Sequence, residues 1–303
     1  MHRPARQKNR RAKEMSAGGP AKNKKRKGKK EKEKKKKGKR KKNKKKKMKR
    51  ALMIGINYVR SPQNRLSGCA NDVLKVSEFL GPNVETRTLS DDIAGAVWPS
   101  RKNILEAIAW LVRDLRPGDT VCVNYSGHGG LTVDVSGDEE SGKDSCIYPV
   151  TETGSIEMIT DDELSRVLVS RVPRGATCTV VLDCCHSGTC LDLRYGYKPI
   201  SETELVVSEN PRYPRGKGTV VLLSGCMDTQ TASEAWDAKS AKPCGAMTEA
   251  LLYALSEDRG PNAKKMKRVL WSVLARLREE GHVQVPQLSS SVPFPLSDPL
   301  FAV

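Results

Sequence analysis

The sequence predicts an α/β protein with a mostly parallel β-sheet that has helices on both faces. Short apolar runs bounded by turn residues alternate with longer segments in which apolar residues recur every three or four positions. Such alternation is typical of parallel sheets, because each helix returns the chain across one face of the sheet. Two of the apolar runs end in polar turns, at His128 and at the pair Cys184-Cys185. Side chains at the carboxyl ends of parallel strands line the ligand crevice, so both turns are expected at one site.

The predicted strands are short apolar segments that begin after the N-terminal basic region. They cover residues 50–56, 84–89, 120–125, 131–135, 177–182 and 219–224. The predicted helices cover residues 71–80, 100–115, 161–172, 245–256 and 267–280. Pro117-Gly118 ends the second of these helices, and Thr160 with Glu163 forms a capping-box pattern before the third. Residues 193–218 are polar and rich in Pro, Arg and Gly, so they are predicted to form a long loop.

The basic charge is confined to the N-terminal part of the chain. Residues 1–50 contain 28 Lys or Arg and 3 Glu, a net charge of +25, whereas the remaining 253 residues carry −6. Residues 22–50 have almost no apolar side chains, so they cannot bury enough surface to offset the entropy of ordering. The chain is therefore predicted to have a disordered basic tail, residues 1–49, and one folded domain, residues 50–303.

Targeting signals and cysteine usage indicate an intracellular protein. The sequence has no run of about 18 apolar residues and no apolar segment like that of a secretory signal peptide, so a membrane span is not expected. Nine cysteines, an odd number, favour free thiols in a reducing compartment over a disulfide framework. We expect the protein in the cytoplasm, and the lysine-rich tail extends this expectation to the nucleus.

A cysteine and a histidine at neighbouring strand ends indicate nucleophilic catalysis. An imidazole beside a thiol takes its proton, or as imidazolium lowers the thiol pKa. Successive residues of a strand point to opposite faces, so only one of Cys184 and Cys185 faces the crevice, and the residues alone do not decide which. His186 is a second candidate base, but a side chain adjacent to the nucleophile on the same strand points the wrong way. His128 is the stronger candidate, because glycines flank it at a predicted strand end.

Two motifs resemble the cysteine and histidine boxes of metacaspases, the caspase-like peptidases of protozoa, fungi and plants. They are Asp183-Cys-Cys-His-Ser-Gly188 and Tyr125-Ser-Gly-His-Gly129. Further segments are similar, in family order, over about residues 50–300: Ala51-Leu-Met-Ile-Gly-Ile-Asn-Tyr58, Gly68-Cys-Ala-Asn-Asp72, Ile147-Tyr-Pro149, Leu223-Ser-Gly-Cys226, Gly245-Ala-Met-Thr248 and Pro286-Gln-Leu-Ser-Ser290. The chain resembles the type I architecture and looks most similar to kinetoplastid members. The resemblance implies a caspase-like fold, which agrees with the predicted sheet.

The resemblance also implies the roles of the catalytic residues. In the family motif the cysteine that follows Asp-x is the nucleophile, which corresponds to Cys185, and Cys184 is then a wall residue. His128 corresponds to the general acid and base. The oxyanion formed on attack needs preorganised N–H donors, and the backbone amides of Cys185 and Gly129 are expected to supply them. The structural alternative is a pair of buried thiols at a strand end.

A specificity pocket for a basic side chain follows from the same resemblance. Metacaspases cleave after Arg or Lys, and Asp72, Asp183, Cys69 and Ser126 match positions of the family's pocket. Two partly buried carboxylates suit a guanidinium or an ammonium group through charge-assisted hydrogen bonds. The alternatives are structural, because Asp72 is also suited to cap the following helix and Asp183 to accept hydrogen bonds at a strand end.

Calcium is the cofactor that the resemblance implies. Asp144, Asp161, Asp162 and Asp192 match the positions of the metacaspase calcium ligands. Calcium takes six to eight oxygen ligands, and carboxylates from separate loops suit it. The alternative is a set of solvated and helix-capping acids, since Asp161 and Asp162 also open a predicted helix, where negative charge is favourable.

The predicted function is a calcium-activated cysteine endopeptidase that cleaves after Arg or Lys. Its partners are then proteins or peptides with Arg or Lys before the scissile bond, and the resemblance implies a monomer. A lysine-rich tail is itself such a substrate, so we expect self-cleavage within residues 22–50, with residues 212–217 as a second region of cleavage. The alternative is a caspase-like binding scaffold with weak or no activity, tethered to nucleic acid by the tail.

Three interpretations of the tail stay open: nuclear import, attraction to nucleic acid or anionic surfaces, and solubility. The tail has no aromatic side chains for base stacking, so any nucleic-acid contact is expected to be non-specific. A purely nucleic-acid-binding protein is excluded, because the predicted folded part is acidic.

Overall fold

The computed structural model describes the chain from Lys47 onward, with short gaps. The described residues are 47–139, 141–200, 204–225, 234–237, 242–257, 265–293, 295 and 297–301. The predicted basic tail and its cleavage region lie outside them, apart from the last few residues. The first strand begins at Lys49, one residue before the predicted start of the folded domain at residue 50.

The strands of the described residues form one large sheet and two small ones. In chain order they are β1 (Lys49–Gly55), β2 (Glu85–Ser90), β3 (Thr120–Ser126), β4 (Gly129–Val133), β5 (Lys143–Ile147), β6 (Ile159–Thr160), β7 (Thr177–Asp183), β8 (Tyr195–Pro199), β9 (Leu205–Glu209), β10 (Thr219–Ser224), β11 (Glu234–Asp237), β12 (Lys242–Gly245) and β13 (Gln287–Ser290). The large sheet has the order β2-β1-β3-β7-β10-β13-β8-β9. Neighbours from β2 to β10 pair in parallel, and the remaining neighbours pair antiparallel. The mostly parallel sheet predicted from the sequence is thereby confirmed.

Five α-helices cover the two faces of this sheet within the described residues. They are α1 (Cys69–Leu80), α2 (Arg101–Val112), α3 (Asp161–Val167), α4 (Ala246–Glu257) and α5 (Met266–Glu279). Successive strand residues point to opposite faces, so each strand supplies both cores. On β7, Val180 packs in the core with α2 and α3, while Val181 packs in the core with α1, α4 and α5. None of the described helices has the length and apolar character to cross a membrane.

Helices α2 and α3, which share one face of the sheet, end earlier than the sequence predicts. Helix α2 stops at Val112, because Arg113 is extended and Asp114 adopts a left-handed conformation with φ 60°. Helix α3 stops at Val167, and a 3-10 turn, Val169–Arg171, follows it. The chain becomes extended at Val172, as expected for a residue that precedes proline.

The capping box predicted for α3 forms only in part. The Thr160 hydroxyl accepts a hydrogen bond from the Glu163 N–H, as predicted. The Glu163 carboxylate, however, pairs with the Arg101 guanidinium at 2.6 Å. An ion pair with a neighbouring helix therefore replaces the return hydrogen bond to the Thr160 backbone.

The prediction of a long loop over residues 193–218 is wrong. The segment contains the hairpin of β8 and β9, which extends the large sheet at one edge. Tyr195 and Tyr197 alternate with more exposed residues and bury their rings in the core with α4 and α5. Antiparallel strands commonly keep one face polar, so Gly, Lys and Pro in β8 obscured a period-two pattern only five residues long.

Candidate active site

The cysteine and histidine turns lie at the carboxyl ends of two adjacent parallel strands. Strand β3 pairs with β7 so that Ser126 lies opposite Asp183. His128 and Cys185 each follow two residues later, and neighbouring strands are about 4.8 Å apart. The two turns also touch, because a Cβ atom on Gly129 would collide with the carbonyl oxygen of Cys185. The sheet therefore brings the predicted acid/base and nucleophile to the same edge.

The structure distinguishes the two adjacent cysteines. Cys184 is 1% exposed and continues the face of Leu182, packing in the core with α2 and α3. Cys185 is half-buried. Only Cys185 is accessible to a substrate, in agreement with the predicted nucleophile. Cys184 instead lies beneath Gly129, where a Cβ atom would come 3.0 Å from its Sγ.

The His128 side chain is oriented by a backbone carbonyl group. Its Nε2 lies 2.8 Å from the carbonyl oxygen of Asn64. A carbonyl oxygen only accepts hydrogen bonds, so Nε2 carries a proton and Nδ1 is the ring nitrogen that can accept one. The ring lines a cavity of about 280 Å³ together with Tyr58, Tyr148 and Ile156. The histidine is thus accessible and held in one tautomer.

Two buried tyrosines hold the backbone of His128, and sequence reasoning missed this function. The Tyr58 hydroxyl accepts the His128 N–H at 2.9 Å and donates to the Tyr148 carbonyl at 2.8 Å. The Tyr125 hydroxyl donates to the His128 carbonyl at 2.7 Å. The Tyr58 ring also packs against the imidazole, with a centroid separation of 4.7 Å. Tyr58 has a left-handed backbone, φ 54°, which is costly for a bulky residue and is often found at functional sites.

The predicted pocket residues Asp72 and Asp183 converge on one backbone position. Asp72 accepts the Gly245 N–H at 2.9 Å, and Asp183 accepts the N–H and hydroxyl of Thr248, each at 2.8 Å. A Cβ atom on Gly245 would collide with Asp183 Oδ2 and lie 3.0 Å from Asp72 Oδ2. Asp72 lies within the first turn of α1 but does not cap it, because Gly68 occupies the N-cap position.

Both carboxylates are buried, and this shapes their ionisation. Burial, together with the charge of Asp183, raises the pKa of Asp72 to about 8. Burial also raises the pKa of Asp183, against hydrogen bonds from Thr248 that lower it. Ser126 is buried beside this pair, opposite Asp183, and its hydroxyl lowers the pKa of Asp72. Cys69 is buried three residues before Asp72 on α1. The four predicted pocket residues thus share one region, which favours a cation.

Acidic side chains cluster next to the catalytic turns. The four predicted calcium ligands, Asp144, Asp161, Asp162 and Asp192, all belong to this cluster. Each of three groups has carboxylate oxygens within 4.8 Å of one another: Asp134, Asp138 and Asp144; Asp138, Asp162 and Asp192; Glu139, Asp161 and Asp192. Sequence reasoning missed Asp134, Asp138 and Glu139. They lie in the acidic β4–β5 loop, but its spacing matches no EF-hand pattern, so only the tertiary structure identifies them.

Asp192 makes this cluster suited to a cation. Its side chain is buried, and Oδ1 has no hydrogen-bond partner among the described residues. Burial and the neighbouring Asp161 raise the pKa of Asp192 to about 9, and burial raises the pKa of Asp161 to about 8. Burial and the charge of Asp134 raise the pKa of Asp144 to about 6. A buried set of carboxylate oxygens with an unpartnered member fits a hard divalent cation such as calcium.

The fold and this pair of turns define a caspase-like cysteine peptidase, and comparison with known proteins agrees. Residues 49–194 match the family model described as metacaspase, peptidase C14 domain. Metacaspase-1B of Aspergillus terreus is 35% identical over 292 residues, covering 80% of this chain and 75% of that protein. Metacaspase-1 of Scheffersomyces stipitis is 32% identical over 295 residues, covering 80% and 71%. The chain belongs to the metacaspase family.

A solved structure supports the fold independently. The crystal structure of protein GSU0716 from Geobacter sulfurreducens matches with a TM-score of 0.59 and 23% identity, covering 82% of this chain and 95% of that one. At this identity the match bears on the fold alone, and the caspase-like fold predicted above is confirmed. The relatives named here are fungal, so the similarity to kinetoplastid members stays a prediction.

Proposed function

We propose that the protein is a calcium-activated cysteine endopeptidase that cleaves after Arg or Lys. The observation that carries this proposal is the buried carboxylate pair Asp72 and Asp183, since Asp183 is only two residues from Cys185. Two buried acids that repel each other are unfavourable in the free protein, and a substrate guanidinium or ammonium would relieve the repulsion. The pair therefore favours a basic residue immediately before the scissile bond.

In the proposed reaction, Cys185 and His128 act as a dyad. The Cys185 thiol gives its proton to Nδ1 of His128, whose Nε2 is already bound to the Asn64 carbonyl oxygen. The thiolate attacks the peptide carbonyl, and the N–H groups of Cys185 and Gly129 stabilise the oxyanion. His128 then protonates the departing amine, and a thioester to Cys185 remains. His128 next takes a proton from water, whose hydroxide releases the carboxylic acid and frees the thiol.

Calcium is proposed to bind Asp144, Asp161, Asp162 and Asp192. When bound, the ion would neutralise these carboxylates. Asp192 lies seven residues after Cys185, and Asp144 is on β5, which pairs with the strand that begins at Gly129. The acids therefore belong to the two segments that carry the nucleophile and the oxyanion donor. Like-charge repulsion in the free cluster loosens these segments, and relieving it would favour the active arrangement.

A peptide with Arg before a fluorogenic leaving group tests this proposal. We expect calcium to raise its hydrolysis by roughly 10- to 100-fold, the range that a coupling free energy of about 1–3 kcal/mol produces. The matched substrate carries citrulline, which is nearly isosteric with arginine but neutral, and it is expected to be cleaved poorly. Magnesium is expected to replace calcium poorly, because it requires a smaller octahedral site.

Two outcomes of this assay would contradict the proposal. Equal hydrolysis of the Arg and citrulline peptides would remove the assigned specificity. Full activity in the presence of chelator would remove the role of calcium. A folded protein that cleaves neither peptide under any condition would favour the binding-scaffold alternative.

Tyr58→Phe is expected to lower kcat by about 10-fold with little change in KM, because an unsatisfied buried N–H costs about 1–3 kcal/mol. The substitution keeps the ring against His128 but removes the acceptor for its backbone N–H. The measurement is the pH dependence of kcat and KM, in which a displaced imidazole shifts the limb assigned to His128. Tyr195→Phe is the control, since its hydroxyl contacts Arg215 on the β8 side of the sheet. A raised KM with normal kcat would contradict this positioning role.

Self-cleavage within the tail remains part of the proposal, although the tail lies outside the described residues. Residues 212–217 are described and contain Arg212, Arg215 and Lys217 in the segment between β9 and β10. Intracellular location, contact with polyanions through the tail and a monomeric state are likewise proposals. They follow from charge, cysteine usage and family membership.

A further inference from the structure

The loop between β4 and β5 supplies carboxylates to the acidic cluster beyond the four proposed calcium ligands. Asp138 groups with Asp162 and Asp192, and Glu139 groups with Asp161 and Asp192. These two loop residues belong to a different segment of the chain than α3, which carries Asp161 and Asp162. A cation with six to eight oxygen ligands has room for such additional donors.

Asp192 is the member that both groups share, and its environment points to a ligand. It is 4% exposed, and its Oδ1 is unpartnered among the described residues. Its backbone is left-handed, with φ 51°, and its N–H is fixed by the Thr189 carbonyl at 2.8 Å. A strained backbone that directs an unpartnered carboxylate oxygen into other carboxylates is unfavourable without a cation between them.

Glu139 is held by a tyrosine from a distant segment. The Tyr213 hydroxyl donates to Glu139 Oε1 at 2.8 Å, and Tyr213 is 4% exposed. Burial raises the pKa of Tyr213 well above its usual range, so the phenol stays a neutral donor. Tyr213 thus holds the carboxylate of Glu139, one oxygen of which lies within 4.8 Å of carboxylate oxygens of Asp161 and Asp192.

The segment that carries Tyr213 is also tied to the chain beside Asp192. The Arg194 guanidinium donates to the carbonyl oxygens of Tyr213 and Pro211, at 3.2 and 3.3 Å, and pairs with Glu209 at 2.7 Å. Arg194 follows Asp192 by two residues. A cation between Asp192 and Glu139 would therefore close a ring of contacts through Tyr213 and Arg194.

We propose that Asp138 and Glu139 are ligands of the bound cation and that Tyr213 is a positioning residue that holds Glu139 for this role. Cation binding then also fixes the segment 210–217, which contains Arg212, Arg215 and Lys217. These are peptide bonds of the class that the enzyme is proposed to cleave, so we expect the calcium-bound enzyme to cleave this second predicted region more slowly than the tail. The inference rests on the proposed calcium site but not on peptidase activity.

Calorimetric titration of calcium into full-length Cys185→Ala protein tests the ligand assignment without self-cleavage. Tyr213→Phe in this background is expected to weaken calcium binding by about 10-fold, the lower end of the range of about 10- to 100-fold known for outer partners of metal ligands. Glu139→Gln removes a ligand itself and is expected to weaken calcium binding by a larger factor. Glu152→Gln is the matched control, because Glu152 is exposed on a turn outside the cluster, and its affinity should equal that of the parent. Unchanged affinity in both Glu139→Gln and Tyr213→Phe would overturn the inference.

Amide hydrogen exchange and limited trypsin digestion test the coupling to the segment 210–217. Calcium is expected to slow exchange there and to block cleavage at Arg212, Arg215 and Lys217 in the parent but not in Glu139→Gln. A purely structural role for Tyr213 would change protection equally with and without calcium, and this result would overturn its assignment. Lack of any calcium binding by the parent would instead overturn the proposed calcium site, so the two failures are distinguishable.

Discussion

Cys185→Ala is expected to abolish cleavage of an Arg peptide, with kcat/KM reduced by about 10⁴-fold or more, the usual cost of losing a catalytic nucleophile. Cys184→Ala, one residue away, is expected to keep most of the activity. The difference follows from burial, since Cys184 packs in the core and Cys185 is only half-buried. The neighbouring cysteine thus offers a control matched in chemistry and sequence position.

The two variants separate catalysis from stability. Cys184→Ala removes a buried sulfur from the core, so we expect it to lower the free energy of unfolding by about 1 kcal/mol. Cys185→Ala is expected to unfold like wild type. Active-site labelling with an electrophilic Arg peptide, read by mass spectrometry, should modify Cys185 alone. Labelling of Cys184, or full activity of Cys185→Ala, would reverse the assignment.

Asp72→Asn is expected to lower kcat/KM for an Arg peptide by about 100-fold or more, since losing one partner of a buried charge pair costs about 2–5 kcal/mol. The asparagine keeps an oxygen that can accept the Gly245 N–H, so the fold should be preserved. The melting temperature should stay equal or rise, because asparagine avoids the cost of burying a carboxyl group that must take up a proton on folding at neutral pH. Asp114→Asn is the control, as Asp114 is exposed and its left-handed backbone suits asparagine.

The same pair predicts how the affinity for a basic ligand depends on pH. The pKa of Asp72 in the free protein is raised to about 8, so this carboxyl binds a proton at neutral pH. A bound guanidinium stabilises the carboxylate and lowers that pKa, so the free protein holds more protons than the complex. Binding therefore releases a proton, and affinity should rise as pH increases toward about 8 and level off above it.

Titration of agmatine, the decarboxylated form of arginine, into Cys185→Ala protein measures this dependence without turnover. Repeating the titration in buffers with different ionisation enthalpies counts the protons released. The dependence should disappear in Asp72→Asn. Affinity that is flat or decreases between pH 6 and 8 in the parent would show that Asp72 does not face the ligand.

Sequence patterns predicted the strands and turns that form the catalytic edge. Strands β3 and β7 are seven residues long, and all but the first residue of each is buried. Burial on both faces is typical of neighbouring strands in a parallel sheet. Local chemistry and spacing mark His128 and the pair Cys184-Cys185, and the resemblance to metacaspases implied that Cys185 is the nucleophile. Each of these signals lies within a few residues of chain, where pattern and conformation are directly linked.

Other features depended on contacts that no local pattern reports. The β8–β9 hairpin was missed because it is stabilised by Tyr195 and Tyr197 packing on distant helices rather than by its own composition. Asp138 and Glu139 belong to a loop whose sequence suggests only solvent-exposed acidic side chains. The hydrogen bond from the His128 N–H to the Tyr58 hydroxyl joins residues 70 positions apart.

The sequence by itself determined the class of fold, the chemistry of the site and the family, because apolar periodicity and short motifs are local properties of the chain. Only the tertiary structure showed that Cys184 is buried in the core with α2 and α3 while Cys185 is half-buried, since burial depends on the elements packed around the end of β7. It also decided which residues hold the acidic side chains in place. Asp72 accepts a hydrogen bond from Gly245, 173 positions away, and Glu139 accepts one from Tyr213, 74 positions away. Such meetings are set by sheet order and register, and these depend on the packing of the whole domain.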